Sequence, residues 1–428
     1  MLKKISVSEA TLGMYLQSLE GSWLSHPFWK TKFVLTDPAD LAALQRSGVP
    51  AVWIDVSKGC DVGEDPAPAP VAAAEPAEPV AAPAVAPAAP APALSAAPAP
   101  EPALAPAAPR LPTARFEDEV GRAAEVLYRS KQAVTALFNE ARLGKAVDAE
   151  SCLPIVEEVA TSLARNPSAF VSLARLKTKD DYTYMHSVAV CGLMVALARH
   201  MGLPDEQVRE AGLAGLLHDV GKMQMPLDVL NKPGSLTDAE FAVMRSHPER
   251  GWELLKDGAK VPEVALDVCL HHHEKIDGTG YPHKLAGDQI SLMARMGAVC
   301  DVYDAITSTR PYKAAWDPAG SLQRMAQWKG QFDPIIFQAF VKSVGIYPVG
   351  TLVRLQSGRL AVVVDQNPTA LVSPQVKVFF STKSGMPIPV QLVDLAAQGC
   401  TDRIAGREPA ENWNFGHLED LWNPNSKR

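Results

Sequence analysis

No pair of cysteines in this 428-residue sequence has CxxC spacing, and no regular interval relates the cysteines to one another. The six cysteines are Cys60, Cys152, Cys191, Cys269, Cys300 and Cys400. This pattern argues against a disulfide framework and is typical of reduced thiols. No apolar run reaches the roughly 20 residues that span a bilayer, and the N-terminus lacks signal-peptide features. We therefore expect a cytoplasmic protein without membrane insertion.

Positive charge is missing from residues 59 to 109, which contain acidic residues but no lysine or arginine. This segment accounts for most of the formal net charge of -7, and the rest of the chain is close to neutral. Proteins that bind nucleic acid polymers or anionic membranes usually carry a basic patch or stripe. Neither partner is expected here.

Composition divides the chain into segments of different character. The predicted fold is multidomain, with a mainly all-α helical bundle as its largest part. Alanine and proline dominate residues 63–112, which predicts a semi-extended linker rather than a folded domain. The other predicted segments are a small α+β domain at 1–62, a connecting helix at 113–147, the all-α bundle at 148–346, and a small β module at 347–428 with a hairpin at Ser357-Gly358.

The connecting helix carries apolar residues at seven-residue intervals, namely Val120, Leu127, Val134 and Ala141. Such a repeat is compatible with a coiled coil that forms a homodimer. The repeat is short and alanine packs weakly, so a helix packed on its own domain is the favoured interpretation.

Histidine is concentrated in the bundle. Of the ten histidines in the sequence, eight lie there: His186, His200, His218, His247, His271, His272, His273 and His283. Several helices carry a histidine or a carboxylate where an apolar residue is expected, and these donors suit mid-series divalent metals. The set that predicts a metal site is His186, His218, Asp219, His247, His272, His273 and Asp301. His271 is the alternative to His272 as a ligand.

Two details of helix design support convergence of these donors. His218 and Asp219 end the small-residue helix AGLAGLLHD, where neighbouring side chains reach one region more easily than in mid-helix. Asp301 lies on the same stripe of its helix as Gly297 and Asp304, so it is expected to face the bundle interior. A buried carboxylate requires a partner, and a metal ion supplies one.

The order H…HD…H…HHE…D, the text HHEKIDGTGYP and the later DAITSTRPYK resemble the HD-GYP family, a branch of the HD phosphohydrolases. The resemblance covers about residues 150 to 345, and the N-terminal segment resembles a domain of uncertain role that often precedes HD-GYP domains. It implies an enzyme that hydrolyses cyclic di-GMP to pGpG and then to GMP. The alternative is a catalytically weak scaffold that binds cyclic di-GMP and a GGDEF-domain protein.

The resemblance also assigns metal ligands. It implies one metal ion held by His186, His218, Asp219 and Asp301. Asp219 would bridge to a second ion held by His247, His272 and His273, and iron or manganese is expected. Some family members have a glutamate four residues before the first histidine and bind a third metal, but Tyr182 occupies that position here. Two metal ions are therefore expected.

Substrate contacts follow from the same resemblance. It places Lys222, Arg310 and Lys313 at the substrate phosphates, and Gly280, Tyr281 and Pro282 in the loop that names the family. Asp219 and Lys222 are expected to be catalytic. Asp304 is a candidate for orienting water or relaying a proton, with a packing role as the alternative. Glu274 is expected to orient one of the preceding histidines.

Overall fold

The computed structural model describes residues 2–19, 33–36, 38–46, 51–62, 114–177, 182–232, 234–308, 315–367, 369–413, 415–416, 418–423 and 426. The predicted linker lies entirely outside these residues, and so do Arg310 and Lys313. Two compact units comprise residues 1–106 and 107–428. Among the described helices, none combines the length and the apolar character needed to cross a bilayer.

The first unit has the predicted α+β character. Its described strands are β1 (Leu2–Ser6), β2 (Tyr15–Leu19), β3 (Phe33–Val34) and β4 (Ala51–Asp55), and helix α1 (Pro38–Arg46) lies between β3 and β4. The strands form an antiparallel sheet in the order β1-β4-β2-β3. Alternation along β4 buries Val52 and Ile54 completely, whereas Trp53 is 37% exposed, as expected for a sheet with one covered face.

The second unit is mainly helical, as predicted. Its described helices are α2 (Phe116–Arg142), α3 (Leu153–Arg165), α4 (Pro167–Ala174), α5 (Tyr182–His200), α6 (Asp205–Leu217), α7 (Leu227–Leu230), α8 (Asp238–Met244), α9 (His247–Lys256), α10 (Glu263–His271), α11 (Leu292–Thr307), α12 (Pro318–Met325) and α13 (Pro334–Val344). Every residue of α5 from Met185 to Ala198 is buried. A helix that is apolar on all sides must be surrounded by others, so α5 forms the centre of the bundle.

Helix α2 packs on its own unit. Val120, Leu127, Val134 and Ala141 are all buried in the core that also contains α3, α4 and α5. A coiled coil would need this same face. The structure therefore supports the interpretation of α2 as a helix packed on its own domain.

The predicted C-terminal β module is an antiparallel sheet. Its strands are β5 (Leu352–Leu355), β6 (Arg359–Asp365), β7 (Gln375–Ser381), β8 (Met386–Asp394) and β9 (Ile404–Arg407), in the order β8-β7-β6-β5-β9. The β5-β6 hairpin turns at Ser357-Gly358, and Gly358 has the positive φ of +81° that favours glycine. Leu360 and Val362 join the helical core, so the sheet belongs to the same compact unit as the bundle.

Candidate metal centre

Helix ends bring the polar side chains together. His186 lies in the first turn of α5, His218 and Asp219 follow α6, and His247 begins α9. His272 and His273 follow α10, whereas Asp301 lies within α11. Side chains at helix ends diverge less than those in mid-helix, and the central position of α5 directs these ends to one region of the core. The structure thus collects all seven predicted ligands.

Gly221 permits a close approach of two backbones at this site. The 3-10 turn Val220–Gln224 follows Asp219 directly. An ideal Cβ on Gly221 would lie 2.0 Å from the carbonyl oxygen of His247 and 2.4 Å from the backbone nitrogen of Gly251. Only glycine allows this contact, which holds Asp219 beside the first turn of α9.

The two carboxylate oxygens of Asp219 face different histidines. Its Oδ2 lies 3.3 Å from Nε2 of His186 and 3.3 Å from Nε2 of His218. Its Oδ1 lies 3.2 Å from Nε2 of His247 and 3.8 Å from Nε2 of His272. A carboxylate placed in this way can bind one cation through each oxygen.

The ligand atoms on each side of Asp219 form a separate group. His186, His218 and Asp301 form the first group, and His247, His272 and His273 form the second group; within each group the ligand atoms lie within 4.8 Å of one another. Oδ1 of Asp301 lies 3.0 Å from Nε2 of His186. Oδ2 of the same residue lies 3.7 Å from Nδ1 of His273, so Asp301 also faces the second group.

Backbone carbonyl groups set the orientation of three of these histidines. The Nδ1 atoms lie close to carbonyl oxygens in the pairs His218 and Gly215 (2.8 Å), His247 and Met244 (2.7 Å), and His272 and Val268 (3.0 Å). A carbonyl oxygen only accepts, so each Nδ1 carries the proton and donates it. Each Nε2 of a neutral ring then presents a lone pair to the site, as a metal ligand must.

The donor set fits divalent cations. Nε2 of His218 and Oδ1 of Asp219 are buried and have no hydrogen-bond partner among the described residues. An unsatisfied buried polar atom costs about 1–3 kcal/mol, and a cation would satisfy both atoms. Without a cation, hydrogen bonds to Asp219, Asp301 and Asp304 outweigh the opposing effect of burial and raise the pKa of His186 to about 10. A metal ion supplies the positive charge that these carboxylates require.

Asp304 lies behind His186. Its Oδ2 is 2.6 Å from Nδ1 of His186 and also accepts from Lys177. Both contacts lie on the side of the imidazole that faces away from the other ligands. These contacts can orient His186. The role of Asp304 in orienting water or relaying a proton stays a prediction. Sequence reasoning missed Lys177, because no local pattern singles it out.

Glu274 does not orient a histidine, so that expectation is wrong. Its Oε1 accepts from the backbone N–H of His283 at 2.7 Å, and its Oε2 accepts from that of Leu285 at 3.1 Å. Glu274 therefore fixes the loop that follows it. Gly280 is needed in this loop, because a Cβ there would lie 2.4 Å from the backbone nitrogen of Lys275.

His271 lies outside both groups. Its Nδ1 is 2.7 Å from Oδ1 of Asp267, and its Nε2 is 3.1 Å from Nδ1 of His283. His272 instead supplies its Nε2 to the second group. The structure thus decides between the two histidines in favour of His272.

Three further predicted site residues surround the ligands. The ring of Tyr281 stacks on His273 with centroids 4.7 Å apart, and the guanidinium of Arg245 lies 4.5 Å from the centroid of Tyr281. Pro282 follows in the same half-buried loop. Nζ of Lys222 is 2.5 Å from Oδ2 of Asp219, and 21% of the Lys222 side chain is exposed. Lys222 therefore reaches from the ligands to solvent.

Tyr182 stacks on the other side of the first group. Its ring lies almost parallel to that of His186, with centroids 5.7 Å apart and an interplanar angle of 8°. A phenol does not supply the carboxylate oxygen that a third metal would need at this position. The expectation of two metal ions stays a prediction.

Acid is expected to destabilise the metal-free protein. Burial lowers the pKa of His273 to about 3 and holds the pKa of His272 well below its usual range. The unfolded chain protonates both residues near pH 6.5, about the ordinary histidine value. The contribution of these two histidines to the free energy of unfolding should therefore be constant above that pH and fall below it, because the unfolded state then binds more protons.

Thermal unfolding of chelator-treated protein at pH 7 and pH 5 measures this effect. The melting temperature should be lower at pH 5, and His273→Gln should reduce the difference. His186 opposes the trend, because its raised pKa keeps it protonated in the folded protein while the unfolded chain loses that proton near pH 6.5, but it is one residue against two. A melting temperature that is unchanged or higher at pH 5 would contradict the assignment of neutral imidazoles.

Comparisons with known proteins agree with this geometry. Residues 2–152 match the family described as Domain of unknown function (DUF3391), and residues 159–336 match the HD domain family. The first match extends well beyond the predicted domain boundary at residue 62. The chain is 54% identical over 423 residues to cyclic di-GMP phosphodiesterase PA4108 of Pseudomonas aeruginosa. The aligned region covers 99% of this chain and 96% of that protein.

Two other relatives match the helical part alone. The cyclic di-GMP phosphodiesterase response regulator RpfG of Xanthomonas campestris is 43% identical over 155 residues, 36% of this chain and 40% of that protein. The 3'3'-cGAMP-specific phosphodiesterase 2 of Vibrio cholerae is 36% identical over 169 residues, 39% of this chain and 32% of that protein. The similarity therefore extends to phosphodiesterases named for two different cyclic dinucleotides.

Proposed function

Because the chain belongs to the HD-GYP family of HD-domain phosphodiesterases, we propose that it hydrolyses cyclic di-GMP at the two ligand groups joined by Asp219. The observation that carries this proposal is the position of the Asp219 carboxylate, with one oxygen facing each group. A binding protein would have no need of two adjacent cation sites that share a carboxylate. Hydrolysis of a phosphodiester does need them, because charge develops on both the attacking and the leaving oxygen.

We propose that His186, His218, Asp219 and Asp301 hold one divalent cation, and that Asp219, His247, His272 and His273 hold the other. When bound, this pair of ions supplies positive charge to the phosphoryl oxygens and acidifies a water molecule for in-line attack. The chain orients His186, His218, His247 and His272 through hydrogen bonds at their Nδ1 atoms. The partly exposed Lys222 adds an ammonium group at the edge of the site, where a substrate phosphate can reach it.

Iron or manganese is proposed for these positions. The donors are imidazole nitrogens and carboxylate oxygens, which suit iron and manganese. Cys269 and Cys300 lie nearby in the core, but burial raises the pKa of both thiols far above the ordinary range. Neither thiol belongs to the ligand groups among the described residues, so neither adds a soft ligand that would favour zinc.

Substrate contacts are proposed in the same region. Gly280, Tyr281 and Pro282 form the loop beside the second group, and Tyr281 presents an aromatic surface next to His273. The phosphate-binding roles of Arg310 and Lys313 stay predictions, because both residues lie outside the described part of the chain. A GGDEF-domain partner, a homodimer and the cytoplasmic location likewise stay predictions.

Hydrolysis of cyclic di-GMP by anaerobically purified protein tests the proposal. The metal content is measured first, and pGpG and GMP are then followed separately, with 3'3'-cGAMP as the comparison substrate. We expect two metal ions per chain, pGpG as the first product, and faster turnover of cyclic di-GMP than of 3'3'-cGAMP. Protein that contains both metals and binds cyclic di-GMP without forming product would instead support the scaffold alternative.

A further inference from the structure

Lys177 places a positive charge inside the core of the second unit. Its side chain is completely buried and forms an ion pair with Asp304, which is also buried. Its Nζ also donates to Oγ of Ser308 at 2.8 Å. Lysine is almost never fully buried unless it is paired, because removing an ammonium group from water is costly. The ion pair with Asp304 therefore accounts for the burial of Lys177.

That partner is tied to the first group. Oδ2 of Asp304 accepts both from Lys177 and from Nδ1 of His186, at 2.6 Å in the latter case. Oδ1 of Asp304 accepts from Ser308 at 3.3 Å. Three contacts from three directions thus determine the orientation of the carboxylate.

His186 differs in this respect from three other histidine ligands. His218, His247 and His272 donate from Nδ1 to uncharged backbone carbonyls. His186 donates to a carboxylate, although two more carboxylates, Asp219 and Asp301, already face its Nε2. The ammonium group of Lys177 lies against Asp304 and balances the negative charge of this third carboxylate.

We propose that Lys177 is a positioning residue for metal binding at the first group, which it serves by neutralising and orienting Asp304. This inference rests on the proposed two-metal site. Lys177 acts through Asp304 and His186 and makes no contact with substrate. Its loss should consequently weaken one cation site and leave the other largely unchanged, which a general packing role would not do.

The affinities of the two cation sites, measured separately, test this proposal. Lys177→Met keeps most of the side-chain length but removes the charge, and manganese binding is measured by chelator competition on metal-free protein. We expect two dissociation constants for the unchanged protein. In the variant, one of them should rise by about 10- to 100-fold, the usual effect of losing an outer partner of a ligand, and the other should stay within about threefold. Electron paramagnetic resonance should show isolated manganese in place of a coupled pair.

The double variant Lys177→Met/Asp304→Asn tests whether Lys177 acts through Asp304. An asparagine oxygen still accepts from His186, and no buried charge is left unpaired. The double variant is expected to fold and to bind the first cation more tightly than Lys177→Met alone. Lys145→Met is the matched control, because Lys145 and its partner Glu140 are more than half exposed and such pairs contribute little.

Several outcomes would overturn the inference. Lys177→Met with both affinities unchanged would exclude a role in metal binding. Equal weakening of metal binding at both sites would show a general structural role. The same conclusion would follow if the double variant lost as much binding free energy for the first cation as Lys177→Met and Asp304→Asn lose together. If Lys177→Met does not fold, Asp304→Asn is compared with the double variant instead. If Lys177 acts only through Asp304, these two variants bind the first cation equally well. Weaker binding by the double variant would overturn the inference. An unchanged protein that binds no metal pair would refute the proposed site instead.

Discussion

Replacing Asp219 with alanine is expected to lower kcat/KM for cyclic di-GMP by at least about a thousandfold, equivalent to roughly 4 kcal/mol of transition-state stabilisation. Asp219 lies between the two groups, with Oδ2 facing His186 and Oδ1 facing His247. Its loss leaves each group one ligand short and removes the partner of Lys222. Metal content and hydrolysis, measured on the same preparation, check the prediction.

The fold should survive this substitution. Metal-free Asp219 is a buried carboxylate, and alanine removes both its charge and the cost of burying that charge. The circular dichroism spectrum and cooperative thermal unfolding should therefore be retained. Asp228→Ala is the matched control, because Asp228 is exposed on α7 and is expected to leave activity unchanged. Full activity of Asp219→Ala would refute the proposed mechanism.

Replacing Gly221 with alanine is expected to reduce both stability and activity. The added methyl group would meet backbone atoms of His247 and Gly251 at 2.0 and 2.4 Å, so α9 must move away from the turn that follows Asp219. Overpacking of a core usually costs about 1–3 kcal/mol, and because backbone resists movement more than side chains do, we expect about 3 kcal/mol or more here. Denaturant unfolding measures the loss, and hydrolysis should fall with it because Asp219 and His247 separate.

Gly121 provides the control for this glycine. It lies in an exposed part of α2, and a Cβ there would meet no atom within 4 Å. Gly121→Ala should therefore stabilise the protein by about 0.5–1 kcal/mol through helix propensity, without a change in activity. If both variants had the same effect on stability and activity, the close backbone approach would not explain the need for glycine at position 221.

Local patterns predicted several elements correctly. The spacing of Thr237 and Glu240 is typical of a capping box, and the two residues form one at the start of α8; the hairpin turns at Ser357-Gly358 as expected. These features depend on residues within a few positions of one another, so the chemistry of the side chains is sufficient to specify them. The donor types and their order along the helices are likewise visible in the sequence. They predicted the seven residues that the fold brings together.

Contacts between distant segments could not be predicted in the same way. Lys177 and Asp304 are 127 positions apart, and no local pattern links them. His271 and His272 are neighbours with the same side chain, yet only His272 faces the other ligands. About 100° of helical rotation separates adjacent residues, and only the packing of α10 against α6, α9 and α11 decides which of them points inward.

The sequence by itself determined which ligands are present, which helices carry them and which chemistry they suit, because residue type and helical period are local properties. Tertiary structure decided how Asp219 divides its oxygens between two groups, and it decided that Glu274 binds the loop rather than a histidine. It also placed Asp304 behind His186, with Lys177 as its counter-charge. The physical reason is that hydrogen bonds and ion pairs in a core depend on distances and directions across the fold, which spacing along the chain does not specify.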